Sequence, residues 1–186
     1  MNGATWIVVG LIGAVLVFIV VVFNRLVTLR QLVRNAWSNI DTELKRRHDL
    51  IPRLVEVVKG YAAHERGVFE RVADARASAV AGEGVAAGAA DRENELARAT
   101  RGLLAVAEGY PDLKSGDHFL ELQRELIETE DRIQAARRFY NGNVKDLNTL
   151  IEQFPSMLVA QAGGFGRVEP FEVEAAVERE AVAVRF

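Results

Sequence analysis

The chain contains no cysteine, which removes a disulfide framework, a thiolate nucleophile and every cysteine-based zinc site. Histidine is scarce as well. His48, His64 and His118 are the three present, and none follows a glutamate by three residues, so the Glu-x-x-His pairs of carboxylate-bridged di-iron bundles are missing. His64-Glu65 opens like a zincin helix, but the position for the second histidine holds Val68. Ser38, Ser78, Ser115 and Ser156 lack a Gly-x-Ser-x-Gly setting, and the glycines at 163, 164 and 166 lack the lysine and hydroxyl of a phosphate loop and read as a bend. No catalytic residue, cofactor site or metal site emerges from these patterns. A net charge of -3 argues against general nucleic-acid binding, which needs a basic face. With only four prolines, little interrupts helix formation.

Charge is also missing from the first 24 residues, and Trp6 to Phe23 is almost purely aliphatic. Eighteen helical residues rise about 27 Å, close to the roughly 30 Å of bilayer hydrocarbon. A signal peptide would need a basic start and a small-residue cleavage site, and neither is present. The expectation is a single-pass anchor over residues 5–23. Arg25, Arg30 and Arg34 crowd its carboxyl side with no acid before Asp41, so the N-terminus should lie outside and the remainder in the cytoplasm.

Beyond the anchor the chain is rich in alanine, leucine, valine, glutamate and arginine, and reads as all-α. Leu26, Leu29, Val33, Trp37, Ile40 and Leu44 form one apolar stripe, and the basic turn Lys45-Arg46-Arg47-His48 suits a helix end. Asp49 then caps a second helix with Pro52 in its first turn, although a kinked continuous helix through Pro52 fits the same residues. Leu54, Val58, Tyr61, Val68 and Val72 stripe this second helix, and Ala77 to Ala90 reads as a flexible turn. A third helix starts near Asp91 and stops at Pro111; a fourth runs from Phe119 to Phe154. The fold class is therefore all-α: a transmembrane helix over 1–24, an antiparallel four-helix bundle over 25–155, and an acidic, flexible tail over 156–186. Trp37, Tyr61, Tyr110 and Tyr140 read as core aromatics.

The seam of the fourth helix places Glu130 and Arg137 inward. Seven residues apart, they cannot pair with each other, so Arg46, Arg47 and Asp49 are their expected partners in a structural polar network. The basic turn at Lys45 to His48 could alternatively meet phosphate or lipid headgroups. At the far end, Val184, Arg185 and Phe186 have the spacing of a C-terminal peptide that adds a strand to a partner's sheet edge. Gly10 and Ala14 form a small-x-x-x-small face that could pair two anchors into a homo-oligomer.

The chain resembles the LemA family. The resemblance is carried by Asn35-Ala36-Trp37-Ser38-Asn39-Ile40-Asp41, by Leu44 through Pro52, by Val58-Lys59-Gly60-Tyr61, and by Tyr110-Pro111-Asp112-Leu113-Lys114. Glu128-Thr129-Glu130, Arg137, Phe139-Tyr140-Asn141 and Phe154-Pro155 continue it in register, while Arg53 and Gly109 depart from the pattern without shifting it. The resemblance implies a bacterial membrane protein with an amino-terminal anchor and a helical-bundle domain. It implies no biochemical activity and no catalytic residues. Two function classes stay open: a membrane-anchored interaction module with a protein partner, and an enzyme or small-ligand bundle built on the seam polar residues. The second requires a pocket that can hold a molecule.

Overall fold

The computed structural model describes residues 3–82, 84, 86 and 88–172. Among them are six helices and no strand: α1 (Gly3–Lys59), α2 (Arg66–Ala81), α3 (Ala89–Glu108), α4 (Pro111–Lys114), α5 (Asp117–Glu152) and α6 (Ser156–Ala162). The described residues distribute over two compact units, one within residues 3–36 and 139–170, the other within residues 37–138 and 171–172.

α1 does not end at His48. The reading that stops it at the basic turn and restarts it at Asp49 is corrected by a single helix to Lys59 with Pro52 inside. A proline in a helix interior leaves the carbonyl four residues earlier without its N–H partner. That carbonyl belongs to His48, and Arg76 Nε of α2 donates to it at 2.7 Å. The side chain replaces the hydrogen bond that Pro52 cannot make, and the helix continues. The basic turn is consequently mid-helix, with no helix terminus for its cations to complement.

In the unit of residues 3–36 and 139–170, the apolar run of α1 points outward. Only 6% of its most apolar 18-residue window is buried, too little for the core helix of a soluble domain. From Val22 onward one stripe turns inward: Leu26, Leu29, Val33 and Ala36 are buried, as are Tyr140, Val144 and Leu147 of α5 and Val159 and Ala160 of α6. Phe23 meets Phe165 edge to face at 5.7 Å, and the Arg30 guanidinium lies 4.7 Å from the Phe165 ring centre. Gly164 makes the turn after α6 with a φ of 67°, where a Cβ would be strained. The stretch from 156, expected as a loose tail, thus opens with a helix. It continues with backbone held by α5: Asn148 accepts from Val168 N at 3.0 Å and donates to Val168 O at 2.7 Å. The amide side chain acts as a one-residue strand partner.

The unit beginning at Trp37 buries Ile51, Leu54 and Val58 of α1, Val72, Ala75 and Ala79 of α2, Leu96 and Leu103 of α3, Leu113 of α4, and Phe119, Leu122 and Leu126 of α5 in one cluster. Phe171 packs edge to face on Trp37 at 5.2 Å, and Asn94 donates to Glu172 O at 3.4 Å. Tyr61, expected in the core, is exposed, because α1 stops at Lys59 and the turn after it carries Tyr61 off the stripe.

Candidate functional site

Four charged or titratable side chains meet inside the unit that begins at Trp37. Arg47 and His48 come from α1, Glu93 from α3 and Glu130 from α5, and all are buried. Arg47 Nη1 donates to Glu130 Oε1 at 2.9 Å, its Nη2 donates to Glu93 Oε2, and His48 Nε2 lies 2.9 Å from Glu93 Oε1. Arg47 alone bridges the two facing helices, through one guanidinium nitrogen to each, and His48, about 100° further round α1, meets the same Glu93 of α3. Glu93 is the hub, with one oxygen on the guanidinium and the other on the imidazole. Arg47 Nε and Glu130 Oε2 are buried without a hydrogen-bond partner among the described groups.

Burying charge is costly, so the pairing must offset it. Burial pulls the Arg47 pKa down, but the charges of Glu130 and Glu93 outweigh it and leave the group above its ordinary value. Burial likewise pushes the Glu93 carboxyl up; the His48 hydrogen bond and the Arg47 charge reverse this and hold it below the usual carboxylate range. Arg47 thus faces two carboxylates, and His48 shares one of them.

The space beside the network is small. A cavity of about 10 Å³, lined among others by His48, Glu93 and Arg92, holds at most about one water. A separate open groove of about 530 Å³ runs along α1 and α5, lined by Lys45, Arg46, Asp49 and Arg53 on one side and Glu125, Glu128 and Arg132 on the other. Arg53 and Glu125 approach to 3.5 Å across it.

Of the residues expected to form the network, the structure brings together Arg47 and Glu130. Arg46 is exposed with Glu43 at 3.7 Å, and Asp49 is exposed; both face the groove. Arg137 is half-buried and donates to Gln134 at 2.6 Å. The partners found instead are Glu93 and His48. Glu93 was detectable, since it stands on the stripe of Leu96, Ala97, Thr100 and Leu103, where a glutamate has no solvent to face. Val184, Arg185 and Phe186 lie outside the described residues, and Gly10 and Ala14 are exposed on α1. Among the described residues no group of three or more His, Asp or Glu side chains is placed to hold a metal ion.

Comparison with known proteins agrees with the resemblance seen in the motifs. Magnetosome protein MamQ of Magnetospirillum gryphiswaldense is 27% identical over 174 residues, covering 80% of this chain and 64% of the relative. Magnetosome protein MamQ 2 of Paramagnetospirillum magneticum is 28% identical over 175 residues, covering 81% and 64%. Protein LemA of Metamycoplasma hominis is 25% identical over 138 residues, covering 74% and 63%. The chain therefore spans just under two thirds of the length of these curated relatives, and their names state no reaction. The LemA family model matches residues 36–186, from the helix that carries Arg47 and His48 through the one that carries Glu130, and the chain belongs to the LemA family.

Proposed function

We propose that this LemA-family protein is a membrane-anchored interaction module, with its helical domain in the cytoplasm and its α1–α5 groove as the face that receives a protein partner. The observation that carries the reading is the division of its charges. Inside, Arg47, Glu93, Glu130 and His48 pair with one another, and the space beside His48 and Glu93 is too small for a substrate. Outside, the groove offers cations from Lys45, Arg46, Arg53 and Arg132 among the carboxylates of Asp49, Glu125 and Glu128, a pattern that specifies a partner's register through charge. The buried network then serves to fix one arrangement of α1, α3 and α5, the specificity role that buried ion pairs have in some proteins. Relatives named as magnetosome proteins support a role at a membrane, but a shared partner is not carried over from chains that extend beyond this one.

The test places a photo-crosslinking residue at Arg46, Arg53 or Arg132 of the full chain in intact membranes. Discrete protein adducts from the groove, reduced by Arg132→Glu when the crosslinker is at position 46, are expected. Absence of adducts at all three positions, together with saturable thermal stabilisation by a small molecule, would instead favour a ligand-binding bundle.

A further inference from the structure

The segment after α5 has a composition unlike its surroundings. Residues 153–166 contain no charged side chain, in a chain that is 26% charged. Glu152 and Arg167 close the stretch and approach each other to 3.3 Å. Within it Phe154, in the turn before α6, is 74% exposed and Leu158 of α6 is 55% exposed, a large apolar surface for so short a segment facing water. The same segment lies against the apolar span. Pro155, Leu158 and Val159 form one wall of a groove of about 560 Å³ whose other wall is Val15, Phe18 and Phe23 of α1.

Depth is set by helix geometry. If Phe23 marks the edge of the hydrocarbon, just before Arg25, Val15 lies about 12 Å deeper at 1.5 Å per residue. The groove is thus continuous with the lipid-facing surface of the span. A segment seated at that depth must satisfy its own backbone. Ser156 Oγ is within 2.7 Å of both Leu150 O and Gln153 O, covering carbonyls at the end of α5. Gly163 N donates to Val159 O and Phe165 N to Ala160 O, both at 2.9 Å, closing the end of α6. Two residues beyond Phe23 in sequence, exposed Arg25 supplies a cation suited to a phosphate.

We infer that residues 153–166 are seated in the bilayer leaflet beside the span, and that the groove between α1 and α6 holds an acyl chain of a bilayer phospholipid. Its volume falls in the roughly 300–1,000 Å³ range of small-ligand sites, and its walls are apolar. The span anchors the chain; α6 adds a second lipid contact that fixes the rotation of α1 about its own axis. This inference rests on membrane association and is independent of any protein partner.

The cysteine-free chain allows a direct test. Full-length Leu158→Cys and Ala162→Cys, each carrying a nitroxide, are reconstituted into vesicles of phosphatidylcholine and phosphatidylglycerol. Collision rates are measured with oxygen, which concentrates in hydrocarbon, and with a water-soluble nickel chelate. Val17→Cys reports the span and Ser115→Cys the aqueous phase. The oxygen-to-nickel ratio at 158 and 162 should lie several-fold above that at 115 and approach that at 17. A ratio at 158 matching that at 115, with 17 still lipid-like, would overturn the inference while leaving the anchor intact. Exclusion of both reagents from 162 would overturn it in favour of protein, such as a second copy, in the groove. Outward-facing Phe154→Cys supplies a further probe should a label at 162 disturb packing.

Discussion

Arg47 is the side chain on which the candidate network depends, because it has no exposed surface and both of its carboxylate partners come from other helices. Arg47→Ala strands Glu93 and Glu130 together and should cost about 3 to 5 kcal/mol, measured as thermal or denaturant unfolding in detergent micelles. Glu130→Ala should cost less, since Glu93 remains on the guanidinium. Arg47→Met combined with Glu130→Leu should lose less than the two single changes summed, as expected when neighbours share one interaction. Strict additivity would mean that the charges act independently. The pH dependence has a definite sign. Glu93 sits below its ordinary value of 4.5 when folded, so the unfolded chain binds more protons in acid. Its contribution is complete above the unfolded pKa and is lost as pH falls through the lower folded value. Stability should therefore drop on acidification below about pH 4.5, and Glu93→Gln should flatten that part of the curve. An unchanged acid slope in the variant would assign the sensitivity to other carboxylates.

At the scale of elements, local periodicity makes the helices legible and misplaces boundaries: the stripe from Leu54 to Val72, read as one helix, is divided between α1 and α2, and the turn read over Ala77 to Ala90 is shortened by α2 running to Ala81. The apolar stripe from Leu26 to Leu44, the arrest at Pro111 and the long seam from Phe119 all correspond to observed helices, because each depends on residues close in sequence. The end of α1 is misplaced because Asp49 with Pro52 three residues later looks like a cap and first turn. What keeps the helix going is Arg76, 28 residues from His48, and no local pattern predicts such a contact. The pairing of Glu93 is hidden for a related reason: its place on an apolar stripe is plain, but its partner Arg47 is visible only once α1 and α3 are packed. Beyond Pro155 apolar periodicity is too short to announce α6, although the missing charges there are readable. The Arg76 contact yields a double-mutant cycle. Arg76→Ala should cost about 1 to 3 kcal/mol by leaving the His48 carbonyl unsatisfied. In a Pro52→Ala background, position 52 has an N–H to offer that carbonyl, and the same change should cost markedly less. Equal losses in both backgrounds would show that Arg76 contributes by packing and not by replacing the missing bond.

For the molecule as a whole, the open question is which way the chain faces, and its charge distribution gives an answer that can be checked. The apolar run ends at Asn24, and Arg25, Arg30 and Arg34 come within the next ten residues, with Asp41 the first acid. Positive residues close to a span are retained on the cytoplasmic side, while acids contribute little to the choice. Arg30 retains this influence even though it is half-buried over Phe165, because orientation is set during insertion, before the folded contacts form. The helical domain is therefore expected in the cytoplasm. Ser115 is a suitable reporter: it lies just after α4, is exposed, and its hydroxyl makes one short-range bond to Asp112 O at 3.2 Å, so its replacement disturbs little. With no native cysteine, Ser115→Cys supplies a unique thiol. It should resist a membrane-impermeant maleimide in intact cells and react fully once the membrane is permeabilised. Labelling in intact cells would reverse the orientation, move the charged α1–α5 groove to the outer side, and require that its partner be sought there.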